Sequence, residues 1–254
     1  MTKRHGQEDP ASLANRVEAG DVRAVSRLIT LLENREQGGI TALKKLRPPS
    51  RRSVVIGITG YPGAGKSTLI DQLVRAYRRQ GHKVGIVAVD TSSPLTGGAI
   101  LGDRIRMQDH SSDAGVFIRS MATRGQHGGL ARSTVETVQA LEAAGYDIIL
   151  VETIGVGQAE VDIARVAQTV VVVVVPGLGD EVQAMKAGLL EVAHIAVVNK
   201  ADHPGADATI RDLQECVPRV IRTVAVTGEG IEELVDAIDE HRRSLARKEA
   251  GRPG

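Results

Sequence analysis

The stretch "GITGYPGAGKSTLI", Gly57 to Ile70, decides the fold. Within it, Gly60-x-x-x-x-Gly65-Lys66-Ser67 follows the apolar "SVVI" and opens the helix-forming "KSTLIDQLVRAYRRQ". Strand, glycine loop and helix in that order gather backbone N–H groups and the positive end of a helix dipole around a phosphate chain. The lysine of such a loop reaches the β- and γ-phosphates, and the serine hydroxyl ligates Mg2+. Gly60, Pro62, Gly63, Ala64, Gly65, Lys66, Ser67 and Thr68 are therefore the expected nucleotide contacts. The spacing alone could arise by chance in a glycine-rich chain, but the strand before it and the helix after it make a nucleotide site the reading.

Outward from this loop the chain alternates strand and helix. "SVVIGIT" (53–59), "KVGIVAVD" (83–90), "YDIILVE" (146–152), "TVVVVVV" (169–175), "HIAVVNK" (194–200) and "VIRTVAV" (220–226) read as strands. Helical patterns cover 66–80, 133–145, 180–192 and 230–248. The strands are continuous apolar runs, as expected of strands buried on both faces. The expected fold is α/β, a mostly parallel central sheet with helices on both faces, of the P-loop NTPase kind. Ahead of it, 11–46 reads as helical, with Val22, Val25, Leu28, Ile29 and Leu32 on one face and Asp21 as N-cap. "QGG" (37–39) reads as a stop before a short helix from Ile40 to Leu46, and "RPPSRR" (47–52) ends the segment. The expected organisation is a helical extension, 1–50, a nucleotide domain, 51–247, and a disordered tail, 248–254.

Bulk properties narrow the function. At 254 residues the chain can bury a sizeable core. A net charge of +1 and only four aromatic residues argue against a nucleic-acid or membrane partner. Cys216 is the single cysteine, so an internal disulfide or a cysteine zinc cluster cannot form. The amino terminus lacks a secretory apolar stretch, and the valine run 170–175 is far short of the roughly 20 residues a spanning helix needs. A cytoplasmic soluble protein is expected.

"HIAVVNKAD" suggests which base is bound. Asp202 can accept from both N1–H and the exocyclic amine of guanine, a pair of donors adenine does not offer. Asn199 could bond the other base edge and the local loop, and the Lys200 stem could lie over the ring. In "VAVTGEGIEEL", Ala225 is the expected N–H donor to the guanine oxygen. GTP is favoured over ATP.

Three acids stand where the metal of a Ser67-bound nucleotide would be: Asp90 ending a strand, Asp103 in a glycine-rich segment, and Glu152 ending "DIILVE". Mg2+ keeps several waters, so not all three can ligate it directly. Asp90 and Glu152 are expected in or near its coordination sphere, some through water, with Asp103 moving with nucleotide state. Glu152 stands where many nucleotide switches have Asp, and Gly155 could offer its N–H to the γ-phosphate with no Cβ in the way.

The stretches "VETIGVGQAE", "VAVDTSSPLTGGAILGDRIRM" and "PGLGDEVQAMKAGLLEVAHIAVVNKAD" resemble the MeaB/ArgK family of SIMIBI-class P-loop GTPases, from about Ser12 to His241. The resemblance implies a GTPase that guards adenosylcobalamin-dependent acyl-CoA mutases, gating cofactor loading and ejecting damaged cofactor. The cofactors implied are GTP/GDP and Mg2+, with cobalamin held by the partner. The implied partners are the cobalamin-binding domain of the mutase and an adenosyltransferase. Switch I then corresponds to 91–107 with Asp103, switch II to 152–160, and a third mobile segment to 176–188, where Asp180, Glu181 and Lys186 would relay nucleotide state. Slow hydrolysis alone, faster with the partner, is expected, with Gln158 a loose analogue of a water-positioning glutamine. Two departures stand out. Val224 replaces the serine often found before the base-loop alanine, and the chain ends soon after Arg247, where longer members continue into a dimerising arm. The homodimer is thereby in doubt, and a monomer or another pairing is open. Two rival readings are a P-loop kinase and a nickel- or zinc-insertion GTPase; the scattered histidines and lone Cys216 suit the latter poorly.

Overall fold

The apolar runs become strands of a single sheet. In a computed structural model of the chain, the structure describes residues 8–49, 51–90, 110, 112–122, 129–153, 162–177, 185 and 188–250. Strands β1 (Val54–Gly60), β2 (Val84–Asp90), β3 (Val116–Ala122), β4 (Ile148–Thr153), β5 (Thr169–Val174), β6 (Ile195–Val198) and β7 (Val220–Arg222) form it in the order β3-β2-β4-β1-β5-β6-β7. Every pairing is parallel. Because parallel neighbours need crossovers, helices cover both faces, and among the described residues only the edge strands β3 and β7 keep partly exposed positions. β1, β4, β5 and β6 are buried along their whole lengths.

One face packs against α4 (Lys66–Arg79) and α7 (Ile231–Ala250) through Ile56, Ile58, Leu69, Leu73, Leu234 and Ile238. The other face carries α5 (Gly129–Ala143), α6 (Ala206–Gln214) and the amino-terminal helices α1 (Pro10–Glu18), α2 (Val22–Glu33) and α3 (Gln37–Lys45). Leu13, Val25, Leu28 and Leu32 share one apolar cluster with Val87, Phe117, Met121 and Val151 of the sheet. Arg35 adds a fork to Glu136 of α5 at 3.0 and 2.8 Å. The amino-terminal helices thus form part of the covering layer.

Several local expectations need correction. Gln37-Gly38-Gly39 opens α3 instead of ending a helix, because Asn34 and Arg35 already turn the chain out of α2. Gly39 serves packing: a Cβ there would lie 2.6 Å from Leu31 Cβ. β3 was not foreseen, since Arg119 and Ser120 interrupt its apolar run; the Arg119 guanidinium reaches Glu33 and Thr30 of α2. Helix α6 was also not foreseen, and the last strand stops at Arg222, giving way to a turn. Helix α7 continues through Ala250, so residues 248–250 are helical and not tail. The helix expected over 180–192 falls largely outside the described residues; Met185 is helical and Leu190–Val192 forms a 3-10 turn.

Two packing details carry predictions. Tyr77 of α4 is 1% exposed, and its hydroxyl has no hydrogen-bond partner among the described residues. A buried hydroxyl without a partner costs about 1–3 kcal/mol, so Tyr77→Phe should leave the Tm unchanged or raise it. A Tm several degrees lower would show that the hydroxyl is needed.

At the amino ends of the strands, His194 and His241 of α7 stack with ring centroids 4.3 Å apart. His194 Nδ1 accepts the Val170 N–H at 3.0 Å, and His241 Nδ1 lies 2.9 Å from Thr169 Oγ1. Burial, helped by the Lys248 charge, holds His194 below its ordinary pKa; burial, His194 and Lys248 do the same for His241. The unfolded chain therefore takes up protons first. The stability this pair contributes is present above the ordinary histidine value of about 6.5 and drains as pH falls below it. Thermal melts between pH 7.5 and 5.5 should show a falling Tm, and His241→Gln should flatten that slope; an unchanged slope would assign it to other groups.

Candidate nucleotide site

The loop, the acid and the base motif all lie at the carboxyl ends of the parallel strands, where open α/β sheets bind ligands. β1 runs into the loop 61–65, and α4 begins at Lys66. Gly65 caps α4 at φ 91°, and a Cβ there would lie 2.3 Å from Asn199 Nδ2, so neither the backbone angle nor the space admits a side chain.

Lys66 is 6% exposed, and its ammonium donates to Gly60 O at 2.7 Å and Tyr61 O at 3.0 Å. The loop thus folds around the lysine, holding its charge beside the backbone that would cradle phosphate. Ser67 Oγ donates to Glu152 Oε1 at 3.0 Å, and both residues are buried. Register explains the meeting: Glu152 of β4 pairs with Ile58 of β1 and Ala88 of β2, on the sheet face that α4 covers. A hydroxyl and a carboxylate make a hard, all-oxygen donor set, which fits Mg2+. Asp90 closes β2 two residues beyond Ala88; its side chain lies outside the described part.

Asn199 occupies the joint between base loop and phosphate loop. Its Nδ2 donates to Ala64 O at 2.8 Å, while Oδ1 accepts from Ala225 N at 3.0 Å and Thr223 Oγ1 at 3.1 Å. Ala225 N–H, expected to face the guanine oxygen, is therefore turned onto Asn199, which needs it to close the loop after β7. Lys200 stands at φ 55° and donates from Nζ to Gly63 O at 3.0 Å, so its stem runs along the phosphate loop. Asp202 is left with its side chain 57% exposed, open to an incoming base. Thr68, half-buried, follows Ser67 on α4.

Two contributors escaped the sequence reading. Thr223 supports Asn199, and Thr153 Oγ1 donates to Thr59 Oγ1 at 2.8 Å, tying the ends of β4 and β1 together under the loop. Both are threonines at strand ends, legible as partners only once the register is known. Asp103, Gly155, Gln158, Asp180, Glu181 and Lys186 lie outside the described residues.

Against known proteins, the sequence matches the family described as methylmalonyl-CoA mutase-associated GTPase MeaB over residues 25–252. A putative GTPase of Pyrococcus abyssi is 53% identical over 248 residues, covering 92% of this chain and 76% of that protein. GTPase ArgK of Escherichia coli is 35% identical over 253 residues, with coverage of 92% and 76%. Among solved structures, LAO/AO transport system kinase is similar with a TM-score of 0.73 at 27% identity, covering 96% of this chain and 78% of that one.

Proposed function

This chain belongs to the methylmalonyl-CoA mutase-associated GTPase (MeaB) family, and we propose that it is the GTP-hydrolysing chaperone of an adenosylcobalamin-dependent acyl-CoA mutase. The observation that carries the reading is the family match, which spans the phosphate loop, Glu152 and the Asn199–Asp202 motif together. That the chain is a GTPase follows from the family and its relatives. The chaperone role, the cofactor gating and the identity of the client are the proposal.

In this reading the backbone of Gly60, Pro62, Gly63, Ala64 and Gly65 wraps the phosphates. Lys66 exchanges its carbonyl contacts for β- and γ-phosphate oxygens, with the N–H groups of Ser67 and Thr68 at the positive end of α4. Ser67 and Glu152 would hold Mg2+, with Asp90 nearby, and the ion would supply positive charge against that developing on the phosphate oxygens. Asp202 accepts from the two guanine donors, and Lys200 covers the ring. The Ala225 N–H is shared between Asn199 and the guanine oxygen. Asn199 makes base and phosphate recognition one unit, because a movement of Ala64 is felt at Ala225 through a single buried amide. Asp103 and Gly155 answer the γ-phosphate, and Asp180, Glu181 and Lys186 relay its loss to the mutase. The mutase, not this chain alone, holds the cobalamin, and an adenosyltransferase is a further partner. No helix among the described residues is long and apolar enough to cross a membrane.

The reading is tested by GTP turnover, with ATP as control, with and without a cobalamin-dependent acyl-CoA mutase of the same genome. Turnover of GTP that rises when the mutase is added supports it. Identical turnover with every such mutase would remove the chaperone role and leave a GTPase with another client.

A further inference from the structure

A cleft of about 470 Å³ opens far from the nucleotide, at the amino edge of the sheet. Val55, the second residue of β1, and Val138 of α5 line it and are 3% and 6% exposed; Val135, Val166, Pro48 and Pro49 add to its apolar lining. Arg52 and Arg165 also line it. Arg52 belongs to 44–52, which holds five cations in nine residues: Lys44, Lys45, Arg47, Arg51 and Arg52. Glu18 takes Arg47, and none of the other four has a carboxylate within ion-pair distance among the described residues. Among the described residues Arg165 meets one carboxylate, Asp162, three residues away at 3.4 Å, and with the arginine itself exposed the contact is worth little in water. The one acid in the cleft, Glu142, accepts the Ser53 N–H at 3.2 Å.

From an apolar floor beside Arg52, whose charge bears on Glu142, and Arg165, held only by its exposed-side contact to Asp162, we infer that this cleft docks an acidic segment of the mutase partner, one that places a branched apolar side chain between carboxylates. The inference rests on the chaperone reading. The terminal residues of this chain do not suit the cleft, since 1–7, "MTKRHGQ", and 251–254, "GRPG", contain no acid. The position also has a consequence for signalling. Arg165 and Val166 belong to the turn that directly follows residues 154–161, and the same turn presses Ile163 and Ala167 onto Gly57 of β1. A Cβ on Gly57 would stand 2.6 Å from Ile163 Cγ1, so the turn packs directly against the β1 backbone at a point only glycine allows. A segment bound in the cleft therefore bears on the element that joins the Glu152 loop to β5.

The test measures binding of the full-length chain to the mutase of the same genome at 0.1 and 0.5 M NaCl, alongside basal GTP turnover. Two variants are used, Arg52→Glu with Arg165→Glu, and Gln139→Trp, which plugs the cleft from an exposed position of α5. Both should keep basal turnover and Tm. Both should bind at least about 10-fold more weakly at 0.1 M; in 0.5 M salt the deficit of the charge variant should shrink as screening tightens, and that of Gln139→Trp should persist. Wild-type affinity in both variants overturns the cleft while leaving the chaperone reading intact. Weakening by the charge variant alone assigns the effect to the general surface field and also overturns it. A wild-type chain that binds no such mutase brings down both readings.

Discussion

Lys66→Ala should lower kcat for GTP by about 100- to 1000-fold, the scale seen when a single preorganised group facing transition-state charge is removed. The ammonium is already held within the loop by the carbonyls of Gly60 and Tyr61, so its charge is in place before it exchanges those contacts for phosphate oxygens. The loss should fall mainly on kcat, because charge on the phosphoryl oxygens grows toward the transition state and uniform binding is the smaller share. Lys66→Arg should not rescue, since a planar guanidinium cannot take the place of a compact ammonium between two loop carbonyls. Single-turnover hydrolysis with saturating GTP checks this, with Tm as the control for folding. A variant that hydrolyses GTP at the wild-type rate would show that the loop does not surround the reacting phosphate.

Asp202→Asn should reverse the choice of base. The carboxylate accepts twice, and guanine presents two donors; the amide puts a donor against one of them. Hydrogen bonds to charged groups are worth about 1.5–3 kcal/mol each, so GTP affinity should fall by about 100-fold or more. Xanthosine triphosphate, which has a carbonyl where guanine has its amine, should then bind the variant better than the wild type. Because the Asp202 side chain is 57% exposed and supports nothing in the core, stability should be unaffected, and the effect can be read as recognition alone. Competition binding with labelled GDP measures both shifts. Equal affinity of wild type and variant for GTP would place the base elsewhere.

The sheet and its loop were legible in the sequence because their signals are local. A strand buried on both faces is an unbroken apolar run, and a phosphate loop must have its glycines at fixed places. What escaped depends on distant partners. β3 was hidden because Arg119 looks like a surface residue until Glu33 is brought to it from α2. Gly38 and Gly39 looked like a helix stop because their purpose, close approach to Leu31, belongs to a neighbouring helix. At the site the residue types at Lys66, Ser67 and Glu152 suggested a shared centre, and register places Ser67 against Glu152. Asn199 was expected to serve the base; its three hydrogen bonds to Ala64, Thr223 and Ala225 depend on a loop after β7 whose turn the sequence disguised as strand.

In the function proposed here, GTP hydrolysis gates cofactor loading of a mutase. The most direct measurement is transfer of adenosylcobalamin into apo-mutase of the same genome, followed by its absorbance, with this chain loaded with GTP or with a slowly hydrolysed analogue. Loading should be prompt with GTP, held back by the analogue, and arrested in the same way with GTP when Lys66 is replaced by alanine. Loading that proceeds at one rate whichever nucleotide is bound would contradict it.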